Sequence, residues 1–270
     1  MEASARPLAV VTGASSGIGL ELARQFGQNG FDLLVAAEDD AIHAAATELE
    51  GVGTGVAAVQ VDLATPEGVE QLYARITATG KPLEAVALNA GVGAGGAFAT
   101  DTELADELRL IDLNVRSTVH LAKLVVRDMV AADRGRLLFT SSIASTTPGP
   151  FQAVYNASKS FVQSFALALR NELKDTNVTV TSLMPGPTET EFFERADMLD
   201  TKMGTTDAKD SAAEVARQGF EALMKGEERA VAASLATKLQ GHGSRLLPER
   251  AKAALHRGMA KPGSGSDSES

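Results

Sequence analysis

Short runs of apolar residues, each ending in polar residues or glycine, alternate along the chain with longer segments whose apolar positions recur at helical spacing. PLAVVTG (7–13), FDLLVAA (31–37), VAAVQVDL (56–63), PLEAVALNAG (82–91), GRLLFTSS (135–142) and NVTVTSLMPG (177–186) read as strands. Helices are expected near 17–29, 40–50, 66–79, 102–131, 151–174 and 211–225. Strands that are apolar along their whole length are buried on both faces, so the pattern predicts a parallel sheet covered by helices on either side. Right-handed crossovers make this an α/β, doubly wound (Rossmann-like) sheet, and RAVAA (229–233) offers a seventh strand. No linker and no repeat divides the chain. Residues 1–260 are therefore expected to form a single domain, and 261–270, ending in GSGSDSES, have the composition of a disordered tail.

Composition narrows the partners rather than the fold. Of 270 residues 44% are apolar, ample for a core. The formal net charge is −10 and basic residues do not cluster, so no nucleic-acid partner is expected. No apolar stretch is long enough to span a bilayer and MEASARPLAV lacks a signal-peptide pattern, which gives the expectation of a soluble, cytoplasmic protein without a membrane partner. With no cysteine there is no thiolate chemistry. His43, His120, His242 and His256 show no ligand spacing, so no metal is expected.

The first strand runs directly into TGASSGIG (12–19), with glycine at 13, 17 and 19. Glycine lets the chain turn tightly and lets a pyrophosphate approach the backbone, while the helix that follows offers free N–H groups and its positive end. The spacing G-x-x-x-G-x-G also suits a plain βα turn, but its place between first strand and first helix favours a dinucleotide. Selectivity is expected at the end of the second strand, VAAEDD (35–40). No arginine or lysine stands at Ala37, Glu38 or Ser16 to meet a 2′-phosphate, so NAD is favoured; NADP is possible if a basic residue from elsewhere serves. Glu38 is placed to accept from ribose hydroxyls, and Asp39 or Asp40 to favour the next helix start. Asp62, ending the third strand, is placed to meet the adenine or to begin a helix.

AVYNASKSF (153–161) sets Tyr155 and Lys159 one helical turn apart in an apolar segment. An ammonium about 5 Å from a phenol, at an effective dielectric of about 20, favours the phenolate by roughly 3 kcal/mol. That is roughly 2 pK units, enough to make a tyrosine of ordinary pKa near ~10 a working acid/base. A packed tyrosine beside a snorkelling lysine is the plainer alternative. FTSSIAS (139–145) weighs against that, because it leaves Ser141 or Ser142 at a strand's carboxyl edge, where ligands collect. NAG (89–91) ends the fourth strand in the same way.

TGASSGIG, NAG, the spacing S-x12-Y-x3-K from Ser142 to Lys159 and the later PG together resemble the short-chain dehydrogenase/reductase family, over about residues 7–190. The resemblance implies Ser142, not Ser141, as the hydroxyl that orients substrate, and Tyr155 as general acid/base. It gives Lys159 a double role, on the nicotinamide ribose and on the tyrosine pKa. Asn114 in IDLNVRS matches an asparagine that holds a proton-relay water, and Thr190 in PGPTET matches a threonine on the carboxamide. The cofactor-binding set so implied is Gly13, Ser15, Ser16, Gly17, Ile18, Gly19, Glu38, Asp62, Leu63, Asn89, Ala90, Gly91, Tyr155, Lys159, Pro185, Gly186, Thr188 and Thr190. Many similar reductases carry arginine at the positions of Ala37 or Glu38 and use NADPH; this chain departs from them.

The expected activity is hydride transfer between NAD(H) and a small-molecule secondary alcohol or ketone. An NADPH-dependent carbonyl reductase and a non-catalytic dinucleotide-binding regulator are the alternatives. In 191–210, Phe192, Phe193, Met198, Leu199 and Met203 are expected either to line a lid over an apolar substrate or to form the buried side of two short helices. The excess of acid in that segment disfavours an acyl-CoA. Phe161, Val162, Phe165, Ala166, Leu169 and Leu173 give the 151 helix a wide apolar surface, and the resemblance implies a homodimer or homotetramer built on it and on the 102–131 helix. Tyr73 has no partner that the sequence names and is expected to pack.

Overall fold

The structure is a computed structural model that describes residues 6–206, 208–232 and 248–265. Seven parallel strands form the main sheet: β1 (Leu8–Thr12), β2 (Asp32–Ala37), β3 (Val56–Gln60), β4 (Leu83–Leu88), β5 (Gly135–Thr140), β6 (Val178–Leu183) and β9 (Arg229–Ala230). Their order is β3-β2-β1-β4-β5-β6-β9, and a separate parallel pair joins β7 (Thr188–Glu189) to β8 (Asp210–Ser211). The direction of winding reverses between β1 and β4, which opens a crevice at the carboxyl ends of those strands.

Alternation along the strands divides the core in two. Val10, Leu34, Val86 and Leu137 point into a layer with Leu72 of α3 (Pro66–Ala78), Leu121 and Val125 of α5 (Ser117–Ala131), and Val162 and Ala166 of α6 (Ala153–Glu172). Their neighbours Ala9, Val11, Leu33, Val35 and Leu138 face Leu22 and Phe26 of α1 (Gly17–Gln28), Ile42 and Leu49 of α2 (Ala41–Glu50), and Val215 and Phe220 of α9 (Ala212–Met224). Successive side chains of a strand point to opposite faces, so strands apolar at every position seal both layers. Local signals set the helix starts: Thr65 caps α3 by accepting from Gly68 N at 3.1 Å, with Pro66 in the first turn.

Three expectations need correction. The helix expected over 102–131 is two, α4 (Leu104–Ile111) and α5, joined by a wide π-turn at Asp112–Arg116. The extra residue sits where Asn114 turns inward to bond the backbone of Val92 through both its side-chain atoms. Tyr73 has a polar partner, donating to Asp128 Oδ2 at 2.9 Å. Residues 261–265 are held against the chain: the Ser264 hydroxyl accepts from Lys202 N at 3.1 Å, and Gly265 N donates to Asp200 O at 2.8 Å. The rest of the expected tail, 266–270, lies outside the described residues, as does residue 233 of the expected seventh strand. Among the described residues no helix is long and apolar enough to cross a membrane.

Candidate active site

The glycine turn is shaped by contact as much as by conformation. A Cβ on Gly19 would lie 1.9 Å from Gly13 O, so no other residue lets α1 start this close to the end of β1. Thr12 ties that end to β4, its hydroxyl accepting from Asn89 N and Ala90 N at 3.0 Å each. The Asn89 amide donates to Thr12 O and Gly13 O, at 3.1 and 3.3 Å, and its oxygen accepts from Thr140 Oγ1 at 3.0 Å. Asn89 thus clamps three strand ends around the turn.

Beside this frame opens a cleft of about 540 Å³. It is lined from the turn (Gly13, Ser15, Ser16, Gly17, Ile18, Gly19) through Glu38, Leu63, Asn89, Ala90 and Gly91 to Ser142, Tyr155 and Lys159, and on to Pro185, Gly186, Thr188 and Thr190. Asp62 and Asn114, also expected at the site, stand just behind that lining. Asp62 Oδ1 accepts from Ala64 N at 2.9 Å, ahead of α3, whose cap is Thr65, while its second oxygen is engaged elsewhere. A turn that only glycine can build, continuous with a cleft of this size, fits a dinucleotide.

Ser142 follows β5 by two residues and caps a short 3-10 turn, its hydroxyl accepting from Ala144 N at 3.1 Å. Ser141 is committed to structure instead: its hydroxyl donates to Lys159 O at 3.0 Å and its N–H to Leu183 O at 2.8 Å. On α6 the Lys159 Nζ donates to Thr140 O at 3.0 Å and lies 5.9 Å from the centroid of the Tyr155 ring. Asn114 donates to Ser158 Oγ at 3.1 Å, and a Cβ on Gly91 would meet both Asn114 Oδ1 (3.0 Å) and Lys159 Nζ (3.1 Å). Serine, phenol, ammonium and amide, expected from three separate segments, are brought to one place.

Their electrostatics run against one expectation. Burial pushes the Tyr155 phenol up to about 12, with a hydrogen bond to Ser142 opposing it. Burial also pushes the Lys159 ammonium down to about 8. The lowering of the phenol by the lysine is thus not what this geometry produces; desolvation disfavours both charged forms and dominates. At neutral pH the phenol carries its proton.

At the far end of the cleft, fold brings in charges that sequence proximity does not. Arg109 of α4 bonds Glu38 Oε2 through one terminal nitrogen and Asp62 Oδ2, at 3.1 Å, through the other, bridging the ends of β2 and β3. Arg195, on α7 (Phe192–Arg195), bonds Glu191 at 2.6 Å and lies 3.9 Å from Asp39, whose carboxylate accepts from Ser15 Oγ at 3.0 Å. Asp39 therefore serves the glycine turn, and Asp40 precedes α2 without a side-chain cap bond.

At the opposite end Phe192 leans on Tyr155 (ring centroids 5.2 Å apart), and Phe193 and Met203 also line the cleft. Met198 is fully buried, accepting from Gln152 Nε2 at 3.0 Å, and Leu199 points to solvent, so these two belong to the link between α7 and α8 (Lys202–Thr205) and not to the cleft wall. Lys252, Leu255, His256 and Met259 of α10 (Glu249–Ala260) line the cleft as well, a contribution that sequence reasoning missed. The apolar spacing of ALHRGMA (254–260) was its one available signal.

A family model described as short chain dehydrogenase matches residues 7–198. The NADP-dependent 3-hydroxy acid dehydrogenase YdfG of Salmonella typhi is 31% identical over 180 residues, covering 66% of this chain and 71% of that one. A short-chain dehydrogenase from Sphingobium yanoikuyae, solved in complex with NADPH, superposes with a TM-score of 0.78 at 27% identity, covering 88% of this chain and 93% of its own. A short chain dehydrogenase/reductase from Burkholderia phymatum, solved in complex with NAD, shares the fold with a TM-score of 0.79 at 24% identity, covering 88% and 92%.

Proposed function

This chain belongs to the short-chain dehydrogenase/reductase family, and from that premise we propose that it interconverts a secondary alcohol and a ketone with NAD(H), using Tyr155 as general acid/base. Like its relatives it is an NAD(P)-dependent oxidoreductase acting on CH–OH groups. When bound, the nicotinamide gives or takes the hydride. The glycine turn and the N-terminus of α1 would hold the pyrophosphate, Glu38 and Asp62 the adenosine, and Asn89 to Gly91 with Pro185, Gly186, Thr188 and Thr190 the nicotinamide half.

The chain's own residues handle the proton. The Ser142 hydroxyl orients the substrate oxygen, and the Tyr155 hydroxyl gives its proton to that oxygen in reduction and takes it back in oxidation. A phenol held protonated by burial is ready for the first of these. Lys159 binds ribose, and Asn114 holds the π-turn and Val92 in register behind it. Phe192, Phe193, Met203, Leu255 and Met259 favour an apolar substrate. The observation that carries the reading is the meeting of buried Ser142, Tyr155 and Lys159 on the same cleft as the glycine turn.

Removing one hydroxyl tests it. Tyr155→Phe is expected to keep NADH affinity within about threefold while turnover on a panel of secondary alcohols and ketones falls by roughly 10²–10⁴-fold. Turnover that survives the change overturns the mechanism. The proposal includes a homo-oligomer, because Leu104, Leu108 and Ile111 of α4, Phe161 of α6 and the nearby loop residue Phe98 leave an apolar face exposed. Sedimentation of a species of about 28.0 kDa alone would remove that part.

One observation favours a second reading, an NADPH-dependent carbonyl reductase. Arg109 supplies, from a distant part of the chain, a cation at the adenosine end. Comparison of NADH and NADPH dissociation constants decides between the two.

A further inference from the structure

Three charges meet at the ends of β2 and β3. Glu38 and Asp62 are the carboxylates that an adenosine would meet in a sheet of this kind, and both are bonded to one guanidinium. Arg109 comes from α4, 71 residues beyond Glu38, and its two terminal nitrogens each take a different carboxylate. Gln60 Nε2 fixes the strand end from below by donating to Glu38 O at 3.1 Å. The other arginine at this end, Arg195, already faces Glu191 and Asp39. Two carboxylates against one guanidinium leave a local charge of about −1, which repels a 2′-phosphate and suits a ribose with free hydroxyls.

We infer that Arg109 is the residue through which the pocket's choice between NAD and NADP is made. While Glu38 holds one of its nitrogens, Arg109 neutralises and orients that carboxylate, which keeps an acceptor in place for a ribose hydroxyl. Freed from Glu38, the same nitrogen is a charged donor able to take a phosphate oxygen. The choice therefore lies in the pair and not in the strand-end residue alone. This inference rests on the cofactor-binding reading proposed above.

The test is a double-mutant cycle read by binding, not turnover. Dissociation constants for NADH and NADPH are measured by fluorescence quenching at one ionic strength for the full chain, Glu38→Gln, Arg109→Met and the double variant. Glu38→Gln is expected to tighten NADPH by about tenfold and to weaken NADH a few-fold, the scale of one charge-assisted bond half open to solvent. Arg109→Met is expected to weaken NADPH by about threefold, because two carboxylates then stand uncompensated. In the double variant most of the gain for NADPH should vanish. A gain of equal size with methionine at 109 would mean that repulsion by Glu38 alone sets the choice, and overturns the inference. Arg109→Lys keeps the charge without the fork and should give an intermediate gain when combined with Glu38→Gln. If the methionine variant does not fold, a gain undiminished by the lysine overturns the inference equally. A wild-type preference for NADPH would instead overturn the NAD reading, while the cycle still reports whether Arg109 is responsible.

Discussion

The two ends of the cleft use charge in opposite ways. At the end that gathers Ser142, Tyr155 and Lys159, Asn114 is 1% exposed, Lys159 6%, and Ser142 and Tyr155 9% each. At the other end the side chains of Arg109 and Glu38 are 47% exposed and that of Asp62 38%. Burial makes an ammonium or a phenolate costly, so the inner groups have displaced pKa values and every neighbour counts. Water screens the outer ion pairs, which are worth little to stability and are free to exchange partners. The buried end holds its polar groups out of water, and the open end leaves its charges solvated.

Lys159→Met separates the two ends most sharply. Turnover is expected to fall by roughly 10²-fold or more. The fold should become more stable at neutral pH, because a buried ammonium whose pKa is pushed from 10.5 to about 8 costs the folded state about 3 kcal/mol. Losing its bond to Thr140 O takes back about 1 kcal/mol, leaving a net gain of about 2 kcal/mol in urea unfolding. The sign with pH follows from the same shift. Below pH 8 both states hold the lysine proton and the penalty is constant; between about 8 and 10 only the unfolded chain holds it, so wild-type stability rises with pH. Above 10 the Tyr155 phenol, pushed up to about 12, reverses the slope as the unfolded tyrosine ionises first. The rise between 8 and 10 should be much reduced in Lys159→Met, and a variant less stable than wild type at pH 7 would show that the lysine is not buried at a cost.

This contrast also explains what could be read from sequence. Tyr155 and Lys159 are one helical turn apart, and Ser142, Asn89 and the glycine turn each follow a strand, so period and topology suffice to gather them. Burial on both faces gave the sheet in the same manner, with the seven strands close to their expected places. Arg109 could not be found that way, since its approach to Glu38 depends on how the chain folds α4 against the ends of β2 and β3. The π-turn itself is hidden because DLNVR has an ordinary helical composition. Likewise α10 meets the cleft only through the path of the chain, and no motif marks it. The raised pKa of Tyr155 is hidden for a related reason: spacing gives the distance to a cation, but not the loss of water that outweighs it.

The smallest expected effect sits at the open end and sharpens the contrast by its smallness. Arg195 is 51% exposed and shares itself between Glu191 and Asp39. Exposed pairs of this kind gain little Coulomb energy and spend side-chain entropy, so Arg195→Ala should change unfolding free energy by no more than about 0.5 kcal/mol. Asp39 does not lose its anchor, because Ser15 Oγ still donates to it at 3.0 Å. The glycine turn is held by Thr12 and Asn89, neither of which touches Arg195. Titration with NADH in about 0.05 and about 0.5 M salt gives the sharper reading, since screening should erase whatever difference the arginine makes. A loss of stability above about 1 kcal/mol, or a difference in affinity that survives high salt, would mean that α7 is fastened to the turn by this residue. The open end would then be as rigidly built as the buried one.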